Sequence, residues 1–422
     1  MKKTLALAAF VPALMLSASA FAVEAKDVLK TYADIAQATY DDSLTTAKAL
    51  DKALEAFVAA PTEENLTKAK AAWLAARVPY QQSEVYRFGN PIVDDFEGKV
   101  NAWPLDEGLI DYTDKNYYGT ESDENALFTA NVIANTELTI NGEKVDAAKI
   151  TPALLGEKLH EAAENEANVA TGYHAIEFLL WGQDVNGTGK GAGSRPASDF
   201  DTKNCTGGNC DRRIDYLMAA SKLMISDLEG ITKAWTEGGE ARKDLMAQGD
   251  QGGLTRMLTG MGSLSYGELA GERMKLGLLL NDPEEEHDCF SDNTHNSHYY
   301  DVKGILNVYN GSYKRVDGSM VEGASLKDLV AASDAGLSKE LSGKLMASDK
   351  AFSAMVERAE KVEAYDQMIG EGNKEGNAVV QAAIDSLVDQ TKSIERVIAK
   401  LDLGKIELEG SDSLDNPKAV FE

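Results

Sequence analysis

Apolar residues recur at three- and four-residue steps along most of this chain. Between Val28 and Val58 they fall at Val28, Ile35, Leu44, Leu50, Leu54, Phe57 and Val58, the spacing that builds one stripe on a helix. A half-buried strand needs strict alternation instead, so the pattern argues against a sheet protein. Ala59-Ala60-Pro61 ends this first helix, and Thr62 with Glu63 and Glu64 opens a second that extends to about Phe88. Pro79 is expected to kink or split that helix, and Gly89-Asn90-Pro91 to end it. The stretch 92–122 reads as turn-rich, and 139–145 as a small hairpin on Asn141-Gly142. Helical spacing resumes near Pro152, over about 161–182 and about 212–235, and then near 254–280, 326–332, 339–369 and 376–401. Aromatic content of only 7% suits close-packed bundles. The fold class is all-α. A length of 422 residues suggests two domains, and Gly238-Gly239 marks the boundary between residues 23–238 and 239–422.

The N-terminus reads as a signal peptide over residues 1–22. Lys2 and Lys3 precede a twelve-residue apolar stretch from Leu5 to Leu16, and Ala20-Phe21-Ala22 supplies small–x–small cleavage residues. Twelve residues are too few to span a bilayer, and no later stretch approaches eighteen. The alternative is a buried N-terminal helix. Cleavage near Ala22 leaves a chain with no transmembrane segment in an extracytoplasmic compartment, most simply a periplasm. The formal charge of −27 excludes nucleic acid as a partner, disfavours anionic membranes and favours cations.

Export permits a disulfide. Cys205 and Cys210 flank a loop with two glycines, which can bring the sulfurs together. A zinc pair is the alternative, without a second pair to complete it. Cys289 is then the odd thiol.

Three clusters carry candidate chemistry. His174 and Glu177 stand three apart in a helix whose next residues are Phe178, Leu179, Leu180 and Trp181. Both side chains leave one face, and an imidazole beside a carboxylate suits iron, zinc or manganese. The ordinary alternative is a core histidine bonded to Glu177. Gly172, two residues earlier, has room for close approach of another helix. A second cluster runs from Glu284 to His298, where Asp292 and His295 either cap a helix or ligate metal. The third is Glu84 with Arg87, ordinarily a surface salt bridge. Asp184, after Trp181-Gly182, and Asp106, after Trp103-Pro104, are further acids beside apolar residues. HExxH and GxSxG do not occur, and Phe178 follows Glu177 where HxxEH needs histidine.

Together these residues resemble the imelysin family (peptidase M75-like), especially its iron-regulated protein A-like exported branch. Its GxHxxE hallmark stands here as Gly172, His174 and Glu177. The likeness continues through 177–184, 195–196, 199–200, 267–274, 289–295 and 304–309, covering nearly the whole mature chain. It implies two helical-bundle domains with the site near their interface. It also implies a divalent or ferric ion, iron first and zinc second, held at His174 and Glu177. Glu84, Asp292 and His295 are further candidate ligands, with Arg87 and Asp184 nearby. The implied role is metal binding in periplasmic iron acquisition, with other iron-uptake or outer-membrane proteins as partners. A zinc-dependent metallopeptidase is the alternative.

Overall fold

A computed structural model describes residues 23–421, so the signal-peptide reading of 1–22 lies outside the described residues. Helix α1 (Ala25–Ala59) carries the long apolar stripe, with Val28, Ile35, Leu50, Leu54 and Phe57 all buried. It packs on α2 (Glu63–Gln81), whose first turn is capped by the Thr62 hydroxyl accepting from the Asn65 N–H at 3.3 Å. Pro79 neither splits this helix nor starts a new one, because it stands two residues from its end and few hydrogen bonds remain to be lost. The chain then turns through a 3-10 segment, Glu84–Tyr86. The stretch expected to be turn-rich opens with α3 (Pro91–Val100), where Pro91 occupies the favoured first position and Val93, Phe96 and Val100 form a buried face.

The hairpin pairs β1 (Glu137–Ile140) with β2 (Glu143–Asp146), and Asn141 and Gly142 both take positive φ, as its two-residue turn requires. Beyond the short α4 (Pro152–Leu154), the helix expected from Glu161 begins only at Gly172. Asn168 is the physical reason: its amide donates to Ala162 O at 2.7 Å and closes a loop where a helix would run. Helix α5 (Gly172–Trp181) follows, then α6 (Cys210–Trp235), α7 (Glu240–Ala247) and α8 (Gly249–Ser263). From Leu264 to Leu276 the helix widens to π geometry before closing as α9 (Gly277–Leu280). Helix α10 (Thr294–Asn310) leads into a hairpin the apolar period did not signal, β3 (Ser312–Lys314) with β4 (Met320–Glu322). Helices α11 (Leu326–Ser333), α12 (Ala335–Lys361), α13 (Tyr365–Ile369), α14 (Lys374–Lys400) and α15 (Asp412–Asp415) complete the chain.

Helix α1 contacts α2 and α6 on one side of Gly238-Gly239 and α8 and α10 on the other. One hydrophobic cluster runs through helices from both halves. No helix among the described residues is long and apolar enough to cross a membrane.

Candidate metal centre

All ten residues of α5 are buried, and its N-terminus is seated on the end of α3. Gly172 has φ +75°, and a Cβ there would lie 2.3 Å from Val100 O. Only glycine meets both demands. The Thr171 hydroxyl donates to Lys99 O at 2.7 Å, and Trp73 Nε1 of α2 donates to Tyr173 O at 3.0 Å. These contacts hold the first turn of α5, and with it His174.

His174 Nδ1 lies 3.0 Å from Glu177 Oε2. The other oxygen, Glu177 Oε1, accepts from Ser291 N–H at 3.0 Å and Ser291 Oγ at 2.7 Å. Both carboxylate oxygens are therefore engaged. A hydrogen bond from Nδ1–H to Glu177 fixes the tautomer that leaves Nε2 of His174 with a lone pair, and that nitrogen has no partner.

Opposite stand His287 and Asp288, on the loop before α10. The rings of His174 and His287 meet edge-on at 4.8 Å. One donor atom from each of His174, His287 and Asp288 lies within 4.8 Å of the others. Asp288 is bound by Arg77 from α2, whose Nη2 reaches Oδ1 at 2.7 Å, and by Asn293 Nδ2 at 2.8 Å and the Ser297 hydroxyl. Arg77 also donates from Nη1 to Asn101 Oδ1 at 2.6 Å and places Nη2 3.2 Å from His287 Nδ1.

Burial, reinforced by Arg77, pulls the His174 imidazole down to about 3. Burial and then Arg273 hold His287 well below its ordinary value. Burial opposes ionisation of Asp288, yet Arg77 and His287 beside it hold that carboxyl well below the usual range. Glu177 is pushed up by burial and by Asp288. The result is two neutral imidazoles facing an ionised carboxylate. Neutral imidazole and carboxylate are the donor set of iron and zinc; His174 Nδ1 lies 4.0 Å from Asp288 Oδ1, and its Nε2 is left without a partner. Two openings meet at His287. A cleft of about 1150 Å³ passes Asp94, Glu97, Glu157, Glu161, Glu268 and Glu272. A chamber of about 360 Å³, walled by Trp103, Tyr117, Tyr118, Phe128 and Phe290, reaches both His174 and His287.

The remaining candidates are not members of that trio. Glu84 is buried, but its carboxylate is held by Arg273 from the π-helical stretch at 2.7 Å. Arg87 pairs with Asp94 at 2.8 Å and Glu268 at 3.3 Å, so it is a network member rather than one half of a surface pair with Glu84. Asp292 takes φ +55°, with Oδ1 unpartnered. His295 Nε2 lies 3.1 Å from Asn296 Nδ2, and its Nδ1 is unpartnered. Asp184 Oδ1 accepts from Asn186 N–H at 2.9 Å in the following loop. Cys205 and Cys210 are joined as a disulfide, and Cys289 is a half-buried free thiol that burial pushes up.

Arg77, His287 and Asp288 were not singled out from the sequence. For Arg77 a signal existed: it shares one helix face with Trp73, Ala76 and Tyr80, and a charge on an apolar stripe must find a buried partner. His287 and Asp288 sat unranked among several acids and histidines.

A protein-family model described as imelysin (peptidase M75) matches residues 36–394. The iron-regulated protein A of Synechococcus elongatus is 33% identical over 89 residues, which span 19% of this chain and 25% of that protein. A solved structure of a putative iron-regulated protein A precursor from Parabacteroides distasonis is similar with a TM-score of 0.62 at 19% identity, covering 89% of this chain and 94% of that one. An imelysin-like protein from Psychrobacter arcticus is similar with a TM-score of 0.54 at 16% identity, covering 90% and 97%.

Proposed function

The chain belongs to the imelysin family, and from that premise we propose that it binds a metal ion, iron foremost, as a periplasmic component of iron acquisition. His174, His287 and Asp288 would hold the ion, and Glu177 would orient His174. The observation that carries this reading is the convergence of those three donors within 4.8 Å, with His174 Nε2 unpartnered and both imidazoles neutral. The iron-regulated relative supports iron as the first metal to test. Three protein donors leave positions for water or a chelating group, and the two openings at His287 give access. The ligands come from both sides of Gly238-Gly239, which suits a site shared by two helical domains, 23–238 and 239–422.

A zinc-peptidase reading needs a carboxylate free to take a proton from metal-bound water. Glu177 does not meet that need, because Ser291 and His174 engage both its oxygens.

Calorimetric titration of metal-stripped protein with Fe(II), Fe(III) and Zn(II) tests the proposal. His174→Ala and His287→Ala should each weaken binding at least about tenfold, roughly 1.4 kcal/mol, with helix content unchanged. Wild-type protein that binds none of these ions, or variants that bind as tightly, would refute it. Peptide cleavage by the zinc-loaded protein would restore the peptidase reading.

A further inference from the structure

The chamber of about 360 Å³ beside the histidine pair has walls of two kinds. Trp103, Tyr117, Tyr118, Phe128 and Phe290 supply aromatic rings, and Asp106, Glu107 and Glu284 supply carboxylates. Local contacts fix the rings. Tyr118 and Phe128 stack at 4.0 Å, the Trp103 ring meets that of His287 at 5.8 Å, and Phe290 meets Phe178 at 5.2 Å. Trp103 Nε1 donates to Glu286 O at 2.8 Å, and the Tyr118 hydroxyl accepts from Gly108 N–H at 3.2 Å.

Each carboxylate is held by a neutral group. Asn125 Nδ2 donates to Asp106 Oδ2 at 2.5 Å, Gln183 Nε2 to Glu107 Oε1 at 2.7 Å, and the Tyr117 hydroxyl to Glu284 Oε1 at 3.0 Å. No lysine or arginine lines the chamber among the described residues. Glu107 is the sharpest case: it is 3% exposed, and burial, followed by Glu284, pushes its carboxyl up to about 8. Elsewhere the protein supplies the cation itself. Arg195 reaches Asp111 at 2.7 Å and lies 5.0 Å from the Tyr112 ring, and Arg77 reaches Asp288 at 2.7 Å and lies 5.0 Å from the Tyr173 ring. The chamber repeats that pairing of carboxylate with aromatic ring, with open volume in place of the guanidinium.

We infer that the chamber binds a small organic cation of the methylated-ammonium class, with the aromatic rings around its head and Glu107 opposite its charge. Aromatic faces attract a cation through their quadrupole, and a methylated ammonium is the cation that aromatic cages take up. The carboxylates add the charge that rings alone lack. Size agrees, since the chamber is near the lower end of ligand pockets, which begin at roughly 300 Å³.

The test is calorimetric titration of metal-stripped protein with choline chloride at constant ionic strength and about pH 8.5, where Glu107 is largely ionised. Wild type should bind choline with a Kd of about 1 mM or tighter, and the neutral alcohol in which carbon replaces the nitrogen of choline at least about tenfold more weakly. Glu107→Gln and Tyr117→Ala should each weaken choline binding at least about threefold. Circular dichroism checks that both variants fold, and Tyr117 is 41% exposed, so its truncation leaves the core intact. The titration involves no metal, and Tyr117→Ala should keep wild-type affinity for Zn(II), so this inference and the metal reading can fail separately. No choline uptake by wild type up to about 20 mM, equal affinity for the alcohol, or wild-type choline affinity in both variants would overturn the inference.

Discussion

Glu286 and Asp288 are two residues apart, equally buried, and treated in opposite ways. Asp288 has an arginine, an amide and a hydroxyl on its oxygens. Glu286 and its neighbours Asp292 and Asp366 present oxygens with no partner. The first region carries its counter-charge inside the fold. The second is stable only with a proton or a cation from solution. Burial alone therefore does not identify a structural carboxylate. What distinguishes the two is whether a charged side chain from another helix reaches it.

The largest expected effect comes from breaking the compensated region. Arg77→Met should cost about 3–5 kcal/mol in chemical denaturation, because it strands the buried Asp288 charge. A cost under about 1 kcal/mol would mean that Arg77 is not the compensating group. Next is the seat of α5: Gly172→Ala should cost about 2–4 kcal/mol, combining a left-handed backbone with collision against Val100 O. Denaturant midpoints that match wild type would show that the glycine is dispensable there.

The uncompensated region should respond with the opposite sign. In buffer free of divalent ions at pH 7.5, Asp366→Asn should stabilise the protein by about 1 kcal/mol, since it removes an unpaired charge. Destabilisation would indicate an unrecognised partner for Asp366.

The smallest effect is in the pH profile. Burial, and after it neighbouring acids, raise Asp292 and Asp366 from 3.8 to about 7. The folded state therefore holds these protons more tightly than the unfolded chain. Their contribution is fully present below about pH 4, declines as pH rises to about 7, and is flat above. Asp288, shifted downward, behaves in reverse: its contribution is present above the unfolded value and is lost as pH falls through the folded one. Urea denaturation from pH 4 to 8 without divalent ions should show a decline that Asp366→Asn makes shallower. An unchanged slope in that variant would remove Asp366 from the titrating group.

The sequence by itself determined the local features. Apolar spacing in α1 and α14, the Asn141-Gly142 turn and the pairing of His174 with Glu177 all act within a few residues, so local geometry dictates them. The resemblance carried by Gly172, His174 and Glu177 also led to the imelysin family, which the match over 36–394 bears out. The tertiary structure decided who faces His174. His287 and Asp288 arrive from the loop before α10, Arg77 from α2 and Ser291 from beyond Phe290, and only helix packing brings them to α5. The same packing gave Glu84 to Arg273 instead of to a metal, through a π-helical stretch whose widened turns no apolar period announced. It also left Asp366 facing acids. Spacing in a sequence shows which residues share a helix face, but the partner of that face depends on how the whole set of helices buries its apolar stripes at once.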